Sequence, residues 1–117
     1  MYTVVYLFPV HRSNVPTFLR VQKEAGEIYL RYGALADETL APVDVGTAYG
    51  CAGFSGLLEL REGEDLYVGL SRFHDRAHHD AVMAEVDADV RIDALYTEMS
   101  NVLEMPRVVR GAFSGAV

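Results

Sequence analysis

Tyr2-Thr3-Val4-Val5-Tyr6-Leu7-Phe8, with Pro9 behind it, is the stretch that decides the fold. Its β-branched and aromatic residues predict a strand from Tyr2 to Phe8 that stops at the proline. Successive side chains of a strand point to opposite faces. Tyr2, Val4, Tyr6 and Phe8 therefore share one face, and Thr3, Val5 and Leu7 share the other. Both sets are largely apolar or aromatic. A second strand, Leu66 to Phe73, repeats the pattern: Leu66, Val68 and Leu70 oppose Tyr67 and Gly69. An antiparallel sheet with one solvated face alternates apolar and polar residues instead. The chain's own helices can cover one face only, and the other would expose a larger apolar patch than soluble monomers tolerate. A second copy packed sheet to sheet about a two-fold axis removes the difficulty. The expectation is a homodimer.

Working outward, Ser13 or Asn14 is placed to cap a helix with Pro16 in its first turn. Phe18, Val21, Ala25, Ile28 and Tyr32 follow at helical spacing, and Gly33 stands where a C-terminal glycine ends a helix. Ala34 to Ala41 has weak strand character. Pro42 to Phe54, rich in glycine and small residues, reads as an irregular connection, and Leu57, Leu58 and Leu60 form a short apolar patch of no clear type. Asp75 is placed to cap a second helix carrying Val82, Met83, Val86 and Val90. Ile92, Leu95, Met99 and Val102 continue on one helical face until Pro106, and Val108 to Phe113 closes the chain as a last strand. The order strand, helix, strand, strand, helix, strand predicts an α+β ferredoxin-like split βαβ domain, residues 1–117, whose antiparallel sheet pairs with a second copy as a dimeric α+β barrel.

Four segments resemble the YbaA-like family of uncharacterised bacterial proteins, a branch of the dimeric α+β barrel superfamily. Met1 to Val10 is similar to its first strand, and Arg31-Tyr32-Gly33-Ala34-Leu35 to its helix-to-strand turn. The most specific match is Asp75-Arg76-Ala77-His78-His79-Asp80-Ala81-Val82. Met105-Pro106 with Arg110-Gly111-Ala112-Phe113 is similar to the closing strand. Ala41 to Leu60 departs from the family pattern, and Asp89-Val90-Arg91 has valine where that pattern tends to proline. The resemblance implies the fold and the dimer, and it implies no particular reaction.

The composition excludes several functions. Ten basic residues face 17 acidic ones, for a net charge of −7, and Lys23 is the sole lysine among scattered arginines. Nucleic-acid binders cluster basic residues against phosphate, so no nucleic-acid partner is expected. No apolar run approaches the roughly 20 residues of a membrane span, so no membrane role is expected either. The single cysteine, Cys51, excludes an internal disulfide and suits the cytosol. Gly46, Gly50, Gly53 and Gly56 lack a phosphate-binding pattern, and no cofactor is expected.

The residues able to carry chemistry are few. His74 and His78 are four apart, as are Asp75 and His79. Two correctly spaced nitrogens are too few for a tetrahedral metal, and the expectation is that none binds. Tyr2, Tyr6, Phe8, Tyr67, Phe73 and Phe113 serve either as core and interface residues or as walls of a cavity for a small organic molecule. Arg110 inside the last strand would pair with Asp37 or Glu38, or hold an anionic ligand. Candidate ligand contacts are therefore Tyr6, Tyr67, His74 and Arg110, with no catalytic residue assigned. Three functions fit: a binder of a small apolar or aromatic molecule, a cofactor-independent monooxygenase-like enzyme using His74 or Tyr67 to abstract a proton, or an interaction module without ligand.

Overall fold

The first strand, β1 (Tyr2–His11), runs through Pro9 and does not stop there. In the computed structural model, which describes residues 1–117, β1 pairs along its length with β3 (Glu64–Phe73) and over Tyr2 to Leu7 with β4 (Val109–Ser114), antiparallel in both cases. The Gly115 N–H donates to the Met1 carbonyl at 3.2 Å, so odd-numbered residues of β1 bond toward β4. Pro9 is odd-numbered, and that ladder has already ended at Leu7–Val109. Its missing N–H therefore faces a side with no partner strand.

The short strand β2 (Ala36–Leu40) pairs antiparallel with β3, which gives the order β2-β3-β1-β4. Three helices, α1 (Val15–Arg31), α2 (Arg76–Asp87) and α3 (Val90–Val102), complete the chain order of a ferredoxin-like α+β domain. The helix termini follow from local chemistry. Asp75 accepts the His78 N–H at 2.8 Å and caps α2 as expected. Asp89 opens α3 by accepting the Arg91 N–H at 2.9 Å, and it also accepts the Tyr32 hydroxyl at 2.7 Å. The Arg91 guanidinium and that hydroxyl hold its carboxyl well below the usual carboxylate range. Asn14 stands at the N-cap of α1, but its side chain makes no capping bond. Its amide donates instead to the Val102 carbonyl at 3.3 Å, joining the start of α1 to the end of α3. Pro106 does not end α3. The helix stops at Val102, and Pro106 lies in a separate 3₁₀ turn, Met105–Arg107. Arg107 there donates to both oxygens of Glu64, at 2.7 and 2.8 Å, and holds that carboxyl at about 2. This pair fixes the chain leading into β4 against the first residue of β3.

The register sorts the sheet's side chains. Val4 faces Ser71 and Ala112, so even positions of β1 and β4 share a face with odd positions of β3. The helices cover that face. Its core comprises one cluster around Phe8, Val10, Phe18 and Met99 and another around Val4, Phe73, Val82 and Val86. The opposite face carries Val5, Leu7, Leu66, Val68 and Leu70 outside either cluster, with Leu7 and Leu66 buried and the other three half-buried. Leu40, Val109 and Phe113 extend it and are 43%, 44% and 61% exposed. The two-faced character of the strands is thus present in the fold. No helix is long and apolar enough to cross a membrane. The connection from β2 to β3 is irregular apart from a 3₁₀ turn and an Ala48–Cys51 bridge, where Tyr49 and Gly50 both take positive φ.

Candidate functional site

Between the covered face of the sheet and helices α1 and α3 lies a cavity of about 200 Å³. Most of its wall is apolar: Phe8 from β1, Val21 and Ala25 from α1, and Leu95 and Met99 from α3, with Met105 just beyond. Polar groups come from the sheet and from α1. Asp37 and Ser71 lie on the sheet, Gln22 and Tyr29 on α1, and Tyr6 on β1. A mostly apolar wall with a few convergent polar groups is the usual form of a small-molecule site.

Asp37 is placed by register. It stands opposite Ser71 across the β2–β3 ladder, and the Ser71 hydroxyl donates to its Oδ2 at 2.7 Å. The other carboxylate oxygen lies against α1 at Gly26, where a Cβ would stand 2.5 Å from Oδ1. Glycine in mid-helix costs about 1 kcal/mol relative to alanine. Here its lack of a side chain is what admits the carboxylate. Gln22 is held by donating to the Thr39 hydroxyl at 3.1 Å. No Lys, Arg or His lies within ion-pair distance of Asp37. Burial pushes its carboxyl above the usual range, the Ser71 bond pulls it back, and neighbouring Glu38 adds to the rise. Burial also pushes the Tyr29 phenol well above its ordinary value, with Tyr6 and Asp37 adding to the effect.

Of the four candidate contacts read from the sequence, the cavity takes in Tyr6 alone. Tyr67 packs its ring 5.4 Å from that of Phe18 within the core. His74 is exposed at the β3–α2 corner, where its N–H donates to His78 Nδ1 at 3.0 Å and the two rings are 4.9 Å apart. His79 packs on Phe73 and Tyr2 and reaches Asp80 at 2.8 Å. No three His, Cys, Asp or Glu side chains converge on a common point. The expected pairing of Arg110 with Asp37 or Glu38 is overturned by the strand order. β4 and β2 occupy opposite edges of the sheet, so Arg110 lies instead 5.7 Å from the Tyr6 ring centre, a cation–π contact. Of the aromatics, Tyr6 and Phe8 stack at 5.6 Å and line the cavity, whereas Phe113 points to the uncovered face.

Fold and site together define a ferredoxin-like α+β domain with a small polar-floored pocket between its sheet and helices. Residues 1–103 match the family described as Protein of unknown function (DUF1428), and the chain belongs to that family. Among solved structures, it is similar to an uncharacterized NIPSNAP domain protein from Burkholderia xenovorans, with TM-score 0.64 at 16% identity, covering 100% of this chain and 96% of that one. It is also similar to a candidate antibiotic biosynthesis monooxygenase from Nitrosomonas europaea, with TM-score 0.66 at 11% identity and 100% of each chain covered. At these identities the likeness establishes the fold. No curated protein matches the chain.

Proposed function

We propose that this protein is a homodimer that binds a small, single-ring organic molecule bearing an oxygen, in the cavity between its sheet and helices. The observation that carries the reading is Asp37: a half-buried carboxylate with no cationic partner within ion-pair distance, beside Tyr29, in a mostly apolar wall. A purely structural module has no use for such a group, because an unpaired buried charge destabilises the fold. The volume sets the size class. An engineered cavity of about 150 Å³ holds benzene, so about 200 Å³ suits one substituted six-membered ring. The oxygenase alternative would use the same cavity, with Asp37 and not His74 as the group able to take a proton.

The dimer reading rests on the uncovered face, where Leu40, Val68, Val109 and Phe113 form one apolar surface across all four strands with β1. A second copy of that face is its natural cover. We further place the chain in the YbaA-like branch on the Asp75 to Val82 segment, and in the cytosol on its lone exposed cysteine.

Calorimetric titration with p-cresol and with toluene tests the binding reading. Saturable binding of p-cresol, weaker for toluene and weakened for p-cresol by Tyr29→Phe, is the expected result. Absence of binding by both compounds at millimolar concentration contradicts it.

A further inference from the structure

We propose that Asp37 is a catalytic general base for a proton shift in a small cyclic ketone, with the Tyr29 hydroxyl as hydrogen-bond donor to the ketone oxygen. The inference rests on the cavity being a ligand site. It goes further by assigning a reaction class.

Three features of the geometry carry it. The first is that the Asp37 carboxylate is fixed and yet unneutralised. Ser71 anchors Oδ2 at 2.7 Å, the bare backbone at Gly26 seats Oδ1, and no cation lies within ion-pair distance. A carboxylate kept for stability would have a partner. The second is that Tyr29 lines the same cavity and its hydroxyl is engaged in no side-chain hydrogen bond, while no side-chain polar atom in the fold is both sealed and unpaired. Its donor is free for a ligand. The third is that most of the remaining wall is apolar, so a charge developing inside is met chiefly by the few fixed polar groups that line it.

The step balances within one molecule. The Asp37 carboxylate takes a proton from the carbon next to the carbonyl. The C–H electron pair becomes a C=C bond, and the carbonyl π pair moves onto oxygen, where the Tyr29 O–H stabilises the negative charge. Asp37, now a carboxylic acid, returns the proton to the same carbon or to one further along a conjugated system. The ketone is thereby exchanged or isomerised, and no oxidant or cofactor is consumed. Burial supports both roles, since it makes Asp37 a stronger base and keeps Tyr29 protonated at neutral pH. The groups around Asp37 are Glu38 beside it, Ser71 on β3, Tyr6 on β1, Gln22 and Tyr29 on α1, and Tyr96 across the cavity on α3. Lys23 and Glu27 of α1 flank the cleft on its other side. Arg110 and Asp87 act at longer range on Tyr29, the first lowering and the second raising it.

The test uses 3-cyclohexen-1-one in deuterated buffer, with conversion to 2-cyclohexen-1-one and deuterium uptake followed by NMR. Wild-type protein should accelerate the conversion by roughly 10²-fold or more over buffer. Asp37→Asn should return it to the buffer rate while still binding the ketone, and Tyr29→Phe should lower kcat with little change in KM. The rate should rise with pH to a plateau, with its midpoint above the usual aspartate range, and Ser71→Ala should move that midpoint higher. If the ketone binds but wild type and Asp37→Asn convert it equally, the inference is overturned and the binding reading stands. If neither the ketone nor p-cresol binds, both are overturned.

Discussion

Gly26 and Asp37 are fitted to each other: the carboxylate of one occupies the space where the other's side chain would begin, 2.5 Å from the position of a Cβ. Helix α1 and strand β2 meet at this point. The contact places a charge under a helix without an ion pair.

Gly26→Ala therefore sets a helix gain of about 1 kcal/mol against a displaced carboxylate and a disturbed Ser71 bond. In the wild-type background the substitution should lower the denaturation midpoint. In an Asp37→Ala background, no atom would stand closer than the Cβ at position 37, at an ordinary 3.5 Å, and the same substitution should raise it. Chemical denaturation of the four proteins checks the reversal of sign.

Asp37→Asn should stabilise the fold at neutral pH. Because burial raises the folded-state value, the fold prefers the protonated acid. That preference is fully present below the unfolded value near 3.8 and is lost as pH rises through the higher folded value. Wild type and Asp37→Asn should thus differ little near pH 3, and the variant should gain as pH rises toward 7. Thermal melts across that range measure it. A constant difference at every pH would contradict the assignment.

Much of the architecture was legible in the sequence because it rests on local chemistry. The two-faced runs at Tyr2 and Leu66, the Asp75 cap and Gly33 at the end of α1 each state their role within a few residues. The site was less legible. Asp37 lies in the weakest strand, where a lone acid resembles a solvated one, and its partner Ser71 is 34 residues away. Only the strand register joins them. The mid-helix Gly26 was the one local hint that something packs closely on α1. Arg110 was misassigned for the same reason, since the strand order places β2 and β4 at opposite edges.

The helix starts give a paired expectation. Asp75→Ala removes the bond to the His78 N–H and should cost about 1 kcal/mol. Val90→Pro should do the reverse. Val90 is the first residue of α3 and is exposed, and Asp89 before it has φ −83° and ψ 120°, a conformation that suits a following proline. A gain of about 0.5 kcal/mol is expected from the stiffer unfolded chain. Urea denaturation measures both.

The uncovered face predicts the oligomeric state. Sedimentation at micromolar concentration should give a dimer. Phe113→Asp, at an exposed position on that face, should give a folded monomer with unchanged circular dichroism. A monomeric wild type, or a dimer indifferent to Phe113→Asp, would place the contact elsewhere or remove it.

The central claim, a ligand held between sheet and helices, is tested most directly by the methionines. The chain has four, and Met99 and Met105 line the cavity while Met1 and Met83 do not. In protein labelled with ¹³C at the methionine methyls, p-cresol should shift the Met99 and Met105 signals saturably and leave those of Met1 and Met83 in place. Shifts confined to Met1 and Met83, or no shift of any methyl at millimolar p-cresol, would contradict the account.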